Sequence, residues 1–280
     1  MEYRSFENGA KIPMLGFGVY QIDPAETERA VSEALKVGYR HIDTAQAYQN
    51  EQGVGDAIAK SDIPREELFI TTKIWINNLG EGKTRKSLEN SLKKLGLDYV
   101  DLVLIHQPFG DAYGAWRELE EAQADGLVRN IGVSNFSPVK AVDLSYFNAA
   151  PVAVNQVEVN PINQRIKEVE LLDEYNIITE AWAPFGQGRK GMFTNPGLKV
   201  IAEKYNKSVA QVILRWLIQR GIVALAKTVT PERMAENFDI FDFEISPADM
   251  AEIAALDENT SLFGDNNDPA KVASMASYEV

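Results

Sequence analysis

Cysteine is absent from the 280-residue chain, and histidine occurs only at positions 41 and 106. The first absence removes disulfides, thiolate zinc sites and iron–sulfur clusters. The second argues against a histidine-rich metal site, and no metal is expected. No apolar run approaches the ~20 residues that span a bilayer. The opening stretch MEYRSFENGAKIP is too polar for a signal-peptide core. A cytoplasmic protein without a membrane partner is expected. Cations are in deficit: 28 Lys and Arg stand against 41 Asp and Glu, a net charge of −13. Nucleic-acid binders present a basic face, so no nucleic-acid partner is expected. An anionic ligand would be repelled at long range and would need cations of its own at its site. Two nucleotide-holding devices are missing as well. No strand is followed by G-x-G-x-x-G, and there is no G-x-x-x-x-G-K-[ST] loop. With no low-complexity stretch or Pro/Gly/Ser linker, residues 1–280 read as one domain.

What the chain does contain is an alternation of short β-rich apolar runs and amphipathic helical stretches, at roughly thirty-residue spacing. The runs begin at Met14, Tyr39, Leu68, Tyr99, Arg129, Val152, Asn176 and Ile222. The helical stretches carry end signals. Asp23 and Pro24 open one that stops at Gly38; another stops at Gly96; a third runs from Ser208 to Gly221. Eight strand–helix units predict an α/β fold, a (β/α)8 TIM barrel. Ahead of the first run, Asn8-Gly9 marks a β-hairpin, expected to close the N-terminal bottom of the barrel.

In such a barrel the chemistry lies at the C-terminal strand ends. Those positions hold Asp43, Lys73, His106, Ser134 with Asn135, Gln156, Trp182, and Lys227 with Thr228. Asp43 beside Lys73 would neutralise both charges. A lysine about 4 Å from Tyr48 would favour the phenolate by about 4 kcal/mol, roughly three pKa units. That predicts a phenol brought from about 10 toward 7, able to protonate a developing alkoxide. His41, two residues before Asp43 and one layer deeper, reads as a hydrogen-bonded core histidine. His106 ends its strand and reads as a functional donor. A glycosidase-like pair of Asp43 and Glu51 would leave Lys73, Asn135 and Gln156 without a task.

The motifs HIDTAQAYQNE, TTKIW, LVLIHQP, IGVSNF, VNQVEVNP and KTVTPERMAENF resemble, in order and spacing, the aldo-keto reductase superfamily. The pattern is most similar to microbial 2,5-diketo-D-gluconate reductase-like members and covers nearly the whole chain. The resemblance implies metal-independent, NADPH-dependent reduction of aldehydes or ketones, such as keto-sugars, keto-acids, keto-esters or small aldehydes. Hydride would come from nicotinamide C4. It implies a tetrad of Tyr48 as general acid, Lys73, Asp43 and His106. Ser134, Asn135 and Gln156 would meet the carboxamide of the cofactor, and Trp182 would stack on its ring. Lys227, Thr228 and Arg233 would take the 2′-phosphate, with Val229 and the helix start at Thr230 also binding the cofactor and Glu236 and Asn237 at the adenine. NADPH should then be preferred over NADH by about tenfold or more.

Substrate walls are expected from Tyr20, Trp75, His106, Gln107 and Phe109, with Tyr113 nearby. Gln107 stands where the family often has an indole, which would make that wall more polar. LAKT, residues 225–228, lacks the usual proline before Lys227, implying a looser phosphate site. A small-molecule carbonyl partner is implied, for a monomer or weak dimer. The resemblance also covers a different class, NADPH-binding regulatory subunits with little turnover, as in potassium-channel β subunits.

Overall fold

All eight apolar runs form strands, and neighbouring strands pair in parallel until the sheet closes. The computed structural model describes residues 1–280. A hairpin of β1 (Tyr3–Ser5) and β2 (Lys11–Pro13) leads into the barrel. The barrel strands are β3 (Leu15–Gly18), β4 (His41–Asp43), β5 (Phe69–Ile74), β6 (Val100–Ile105), β7 (Val128–Ser134), β8 (Val154–Glu158), β9 (Ile178–Trp182) and β10 (Val223–Ala226). Each pairs with its sequence neighbour, and β10 returns to β3 with Ala224 opposite Leu15. Because helices cover the outside, the strands are buried on both faces, and β5 and β6 are buried at every residue.

Helices follow these strands, one after each except two between β9 and β10: α1 (Pro24–Val37), α2 (Glu51–Ala59), α3 (Thr84–Leu95), α4 (Ala112–Ala124), α5 (Pro138–Tyr146), α6 (Ile166–Glu174), α7 (Pro196–Tyr205), α8 (Val209–Gln219) and α9 (Pro231–Phe238). Two more, α10 (Pro247–Ala254) and α11 (Pro269–Ala276), extend beyond the barrel. Their ends follow the local chemistry. Asp23 caps α1 through the Ala25 N–H, and Ser208 and Gln211 make a reciprocal capping box at α8. Gly96 ends α3 at φ 65°, a left-handed conformation that suits glycine. No helix is long and apolar enough to cross a membrane.

The period-two alternation of strands divides the apolar residues into two cores. The larger lies between barrel and helices and includes Trp116, Trp216 and Leu88. The smaller fills the lower barrel interior with Phe69, Leu102, Leu104, Val154, Ile178 and Val223, and the hairpin inserts Phe6 and Ile12 beneath them. The expected bottom closure is therefore an apolar plug. Above it the interior turns polar. Gly16 makes room for that change, because a Cβ there would lie 2.7 Å from the His41 ring nitrogen Nδ1.

Candidate active site

Inward-facing residues two apart on β4 and β5 climb from the plug to the open end: His41 then Asp43, and Phe69, Thr71 then Lys73. Lys73 is fully buried. Its ammonium donates to Asp43 Oδ1 at 2.6 Å, to the Thr44 carbonyl at 3.0 Å and to the Tyr48 hydroxyl oxygen at 3.2 Å. An ammonium has three hydrogens, and all three are used. Burial works against the charge on Lys73, but Asp43 and Tyr48 outweigh it and hold its pKa above the ordinary lysine value. Since Tyr48 accepts from Lys73, the phenol's own proton is left for something outside the network.

The expected acidification of Tyr48 does not occur in this geometry. Burial pushes the phenol up to about 12. Lys73 opposes that rise through its charge and its hydrogen bond, and the charge of Asp43 adds to the rise. Tyr48 is thus a protonated donor across the physiological range. His106 meets the edge of the Tyr48 ring at 5.7 Å between centroids and that of Trp75 at 5.2 Å. Burial, helped by the charge of Lys73, holds its imidazole well below the ordinary histidine pKa, so it is neutral. His106 Nδ1 is buried without a partner.

Beside this cluster the ends of β7, β8 and β9 form a linked shelf. Asn135, at a positive φ of 64° that asparagine tolerates, donates to the His106 carbonyl at 3.2 Å and to Ser134 Oγ at 3.1 Å. Trp182 Nε1 donates to Asn135 Oδ1 at 3.0 Å, and Ser134 Oγ donates to the Gln156 carbonyl at 2.9 Å. Gln156 Nε2 donates to Asp43 Oδ2 at 2.9 Å and to Glu180 Oε2 at 2.8 Å. The shelf is therefore tied to the Asp43–Lys73 pair. His41 is the core histidine expected, bonded to Thr71 Oγ1 at 3.1 Å.

After β10 the chain reaches α9. Thr230 occupies the cap position but makes no side-chain cap bond, so the first-turn N–H groups are not capped by it. Lys227 and Arg233 are exposed and enter no ion pair, whereas Lys204 and Lys207 are committed to Asp249 and to Asp239 and Asp242. Thr228 Oγ1 accepts from the Thr230 N–H at 3.2 Å, Val229 is 40% exposed, Glu236 is half-buried and Asn237 is buried. This helix start, with two free cations on a net-negative chain, fits a phosphate-bearing ligand.

The expected walls are brought in unequally. Trp75 touches His106, and Tyr20 meets Tyr48 at 5.0 Å between ring centroids. Gln107 is buried, with Oε1 unpartnered. Phe109 is half-buried against the outer core. Tyr113, at 40% exposure on α4, makes no ring contact with the cluster. Glu51 accepts from Thr72 Oγ1 at 2.6 Å. Thr72 alternates with the inward Lys73 and so faces outward, which separates Glu51 from Asp43.

Sequence reasoning missed Tyr278. Its carbonyl accepts from Trp75 Nε1 at 2.8 Å, and its hydroxyl donates to the Ala47 carbonyl at 3.2 Å. It also missed Phe263, packed on Trp182 at 5.1 Å and covered by the Arg189 guanidinium at 4.4 Å. Contacts about 200 and 80 residues apart leave no local signal. Glu180 was readable, as a glutamate two residues before Trp182 and the one charged residue of its run.

The match to the Aldo/keto reductase family model covers residues 14–258. The chain belongs to that family. It is 42% identical over 259 residues to the Escherichia coli protein named methylglyoxal reductase DkgA, covering 91% of this chain and 94% of that one. It is 43% identical over 266 residues to an aldo-keto reductase of Mycolicibacterium smegmatis, covering 92% and 94%. Among solved structures, an aldo-keto reductase from a Medee basin deep-sea metagenome library superimposes with a TM-score of 0.92 at 39% identity, covering 95% of this chain and 98% of that one. A Bombyx mori aldo-keto reductase in complex with NADP gives 0.89 at 35% identity, covering 93% and 94%.

Proposed function

We propose that this chain is an NADPH-dependent oxidoreductase that reduces aldehydes and ketones to alcohols, with Tyr48 as the proton donor. Family membership and the NADP-bound neighbour support the cofactor and the reaction class. The observation that carries the assignment is the hydrogen-bond count at Lys73. Its three donors are spent, one of them on the Tyr48 oxygen, so the Tyr48 proton is directed elsewhere, beside neutral His106.

Bound NADPH supplies the hydride. Lys227, Arg233 and the open start of α9 would hold its phosphates, with Thr228, Val229 and Thr230 alongside and Glu236 and Asn237 at the adenine. Ser134, Asn135, Gln156 and Trp182 would fix the nicotinamide end. His106 would donate a hydrogen bond to the substrate carbonyl and orient it, and Tyr48 would deliver its proton to that oxygen. A phenol near 12 is still a far stronger acid than an alcohol-like O–H, about 15.7 for water, so the transfer runs downhill. Lys73 stabilises the phenolate left behind, and Asp43 and the Thr44 carbonyl hold Lys73 in place. Trp75, Gln107, Tyr20 and Phe109 are proposed as substrate contacts. The relative named methylglyoxal reductase makes a small dicarbonyl the first substrate to try. We place the reaction in the cytoplasm, in a single-domain chain acting as a monomer or weak dimer.

The test is NADPH oxidation with methylglyoxal by the native chain and by Tyr48→Phe. Turnover that falls by about 10²–10⁴ in the variant, the size of a general-acid contribution, is the expected result. Binding of NADPH without turnover by the native chain would overturn the assignment and favour a regulatory subunit.

A further inference from the structure

Below the Asp43–Lys73 pair, in the barrel's middle layer, lies a second carboxyl group that the mechanism above does not use. Glu180 on β9 has no exposed surface. Its Oε2 accepts from Gln156 Nε2, the same amide nitrogen that donates to Asp43 Oδ2. Its Oε1 has no hydrogen-bond partner and lies 3.5 Å from His41 Nε2. Its neighbours come from four strands. From β4 come His41 and Asp43, from β5 Thr71 and Lys73, from β8 the uncharged Gln156, and from β10 the apolar Val223, paired with Glu180 in register. Tyr48 lies one step beyond Lys73.

The network contains one cation, Lys73, and that cation is bonded to Asp43 at 2.6 Å. An ionised Glu180 would be a second buried anion without a counter-charge, a costly arrangement. A proton on Oε1, facing a neutral His41 nitrogen, removes the excess charge and gives the orphaned oxygen a role.

We propose that Glu180 is a positioning residue of the reductase, acting through Gln156 and Asp43 on the Lys73–Tyr48 pair. Protonated, it leaves Asp43 as the sole anion facing Lys73 and anchors the Gln156 amide. Ionised, it competes with Asp43 for that amide and for the field of Lys73, and its negative charge makes Tyr48 a weaker proton donor. The reduction therefore slows as Glu180 loses its proton. Burial and the nearby Asp43 raise its pKa to about 8, and burial holds His41 at about 3. Tyr48 titrates far above this range and His106 well below it. That leaves Glu180 as the network group that changes charge in mildly alkaline solution.

The inference rests on the reductase reading, so its test carries a readout that does not need turnover. The first measurement is kcat/KM for NADPH-dependent reduction of methylglyoxal at about pH 7 and about pH 9, in the native chain and in Glu180→Gln. One ionisation near 8 predicts a drop of about tenfold across that interval in the native chain. The drop should shrink to about twofold or less in the variant. The second measurement is the infrared difference spectrum, native minus Glu180→Gln, without cofactor. A protonated-carboxyl band present at neutral pH should fade by about pH 9.5. The same pH drop in both proteins, or no protonated-carboxyl band at neutral pH, would overturn the proposal. If the native chain turns nothing over, the reductase reading fails while the infrared band still decides the state of Glu180. Should Glu180→Gln not fold, Glu180→Asp withdraws the carboxyl by one methylene and must shift the band.

Discussion

Both ends of the barrel are covered by terminal segments of the chain, and they are covered in opposite ways. At the bottom, the hairpin pushes Phe6 and Ile12 against six apolar side chains, and Ile12 has no exposed surface. At the top, the C-terminal segment lies over the pocket with no buried residue in α11 and with Tyr278 45% exposed. Its anchors are mostly hydrogen bonds, Trp75 Nε1 to the Tyr278 carbonyl and the Tyr278 hydroxyl to the Ala47 carbonyl, with an edge contact between the Trp75 and Tyr278 rings at 5.6 Å and Met275 against the outer core as its apolar support. Burial of apolar area is strong and non-directional, so the bottom is sealed. Hydrogen bonds exchanged with water contribute little net, so the top can open. One barrel thus separates an end built for stability from an end built for ligands.

The sharpest way to break this division is to attack the one place where the functional end is also a stability element. Lys73→Met leaves Asp43 buried with no cation, and breaking a buried pair costs about 3–5 kcal/mol. Chemical denaturation should show that loss, and NADPH oxidation should be abolished together with it. A variant of native stability would mean that water reaches Asp43 and that the pair is not sealed from solvent. Next in size is the plug. Ile12→Ala should cost about 2–5 kcal/mol in the same denaturation experiment, as other large-to-small core changes do. Its kcat/KM should stay within about twofold of the native value, because the polar layer stands between plug and site. A large activity loss without a stability loss would dissolve the distinction between the two ends.

The sequence was informative about these ends to different degrees. The strand pattern and Asn8-Gly9 made the barrel and its hairpin legible, because alternation and turn chemistry are local signals. Strand-end reading singled out Asp43, Lys73, His106 and Gln156, and the structure brings them together, because in a closed parallel barrel such positions share one rim. It failed on the acidity of Tyr48, since pairing it with Lys73 alone ignored two opposing effects. Burial and the second charge on Asp43 both depend on three-dimensional packing. It also passed over Glu180, which lies in a run that otherwise reads as a covered strand. Gln156 was read only as a ligand contact, and the structure adds that its amide nitrogen bridges two carboxyl groups.

The smallest expected effect tests the weaker end directly. Trp75→Phe keeps an aromatic ring against His106 but removes the indole N–H that holds the Tyr278 carbonyl. One neutral hydrogen bond contributes about 0.5–1.5 kcal/mol net, far too little to unfold a barrel. It is enough to raise the open population of the tail by about two- to tenfold, since 1.4 kcal/mol is tenfold in an equilibrium. Amide exchange of residues 269–280 should accelerate by that factor while exchange in β5 and β6 stays unchanged. Because Tyr278 stands beside Trp75 and the Ala47 carbonyl, at the mouth of the pocket, loosening it should move KM for methylglyoxal more than kcat. Unchanged tail exchange would show that the apolar contacts of Met275, which packs against the outer core, hold the segment and that the top is sealed as the bottom is.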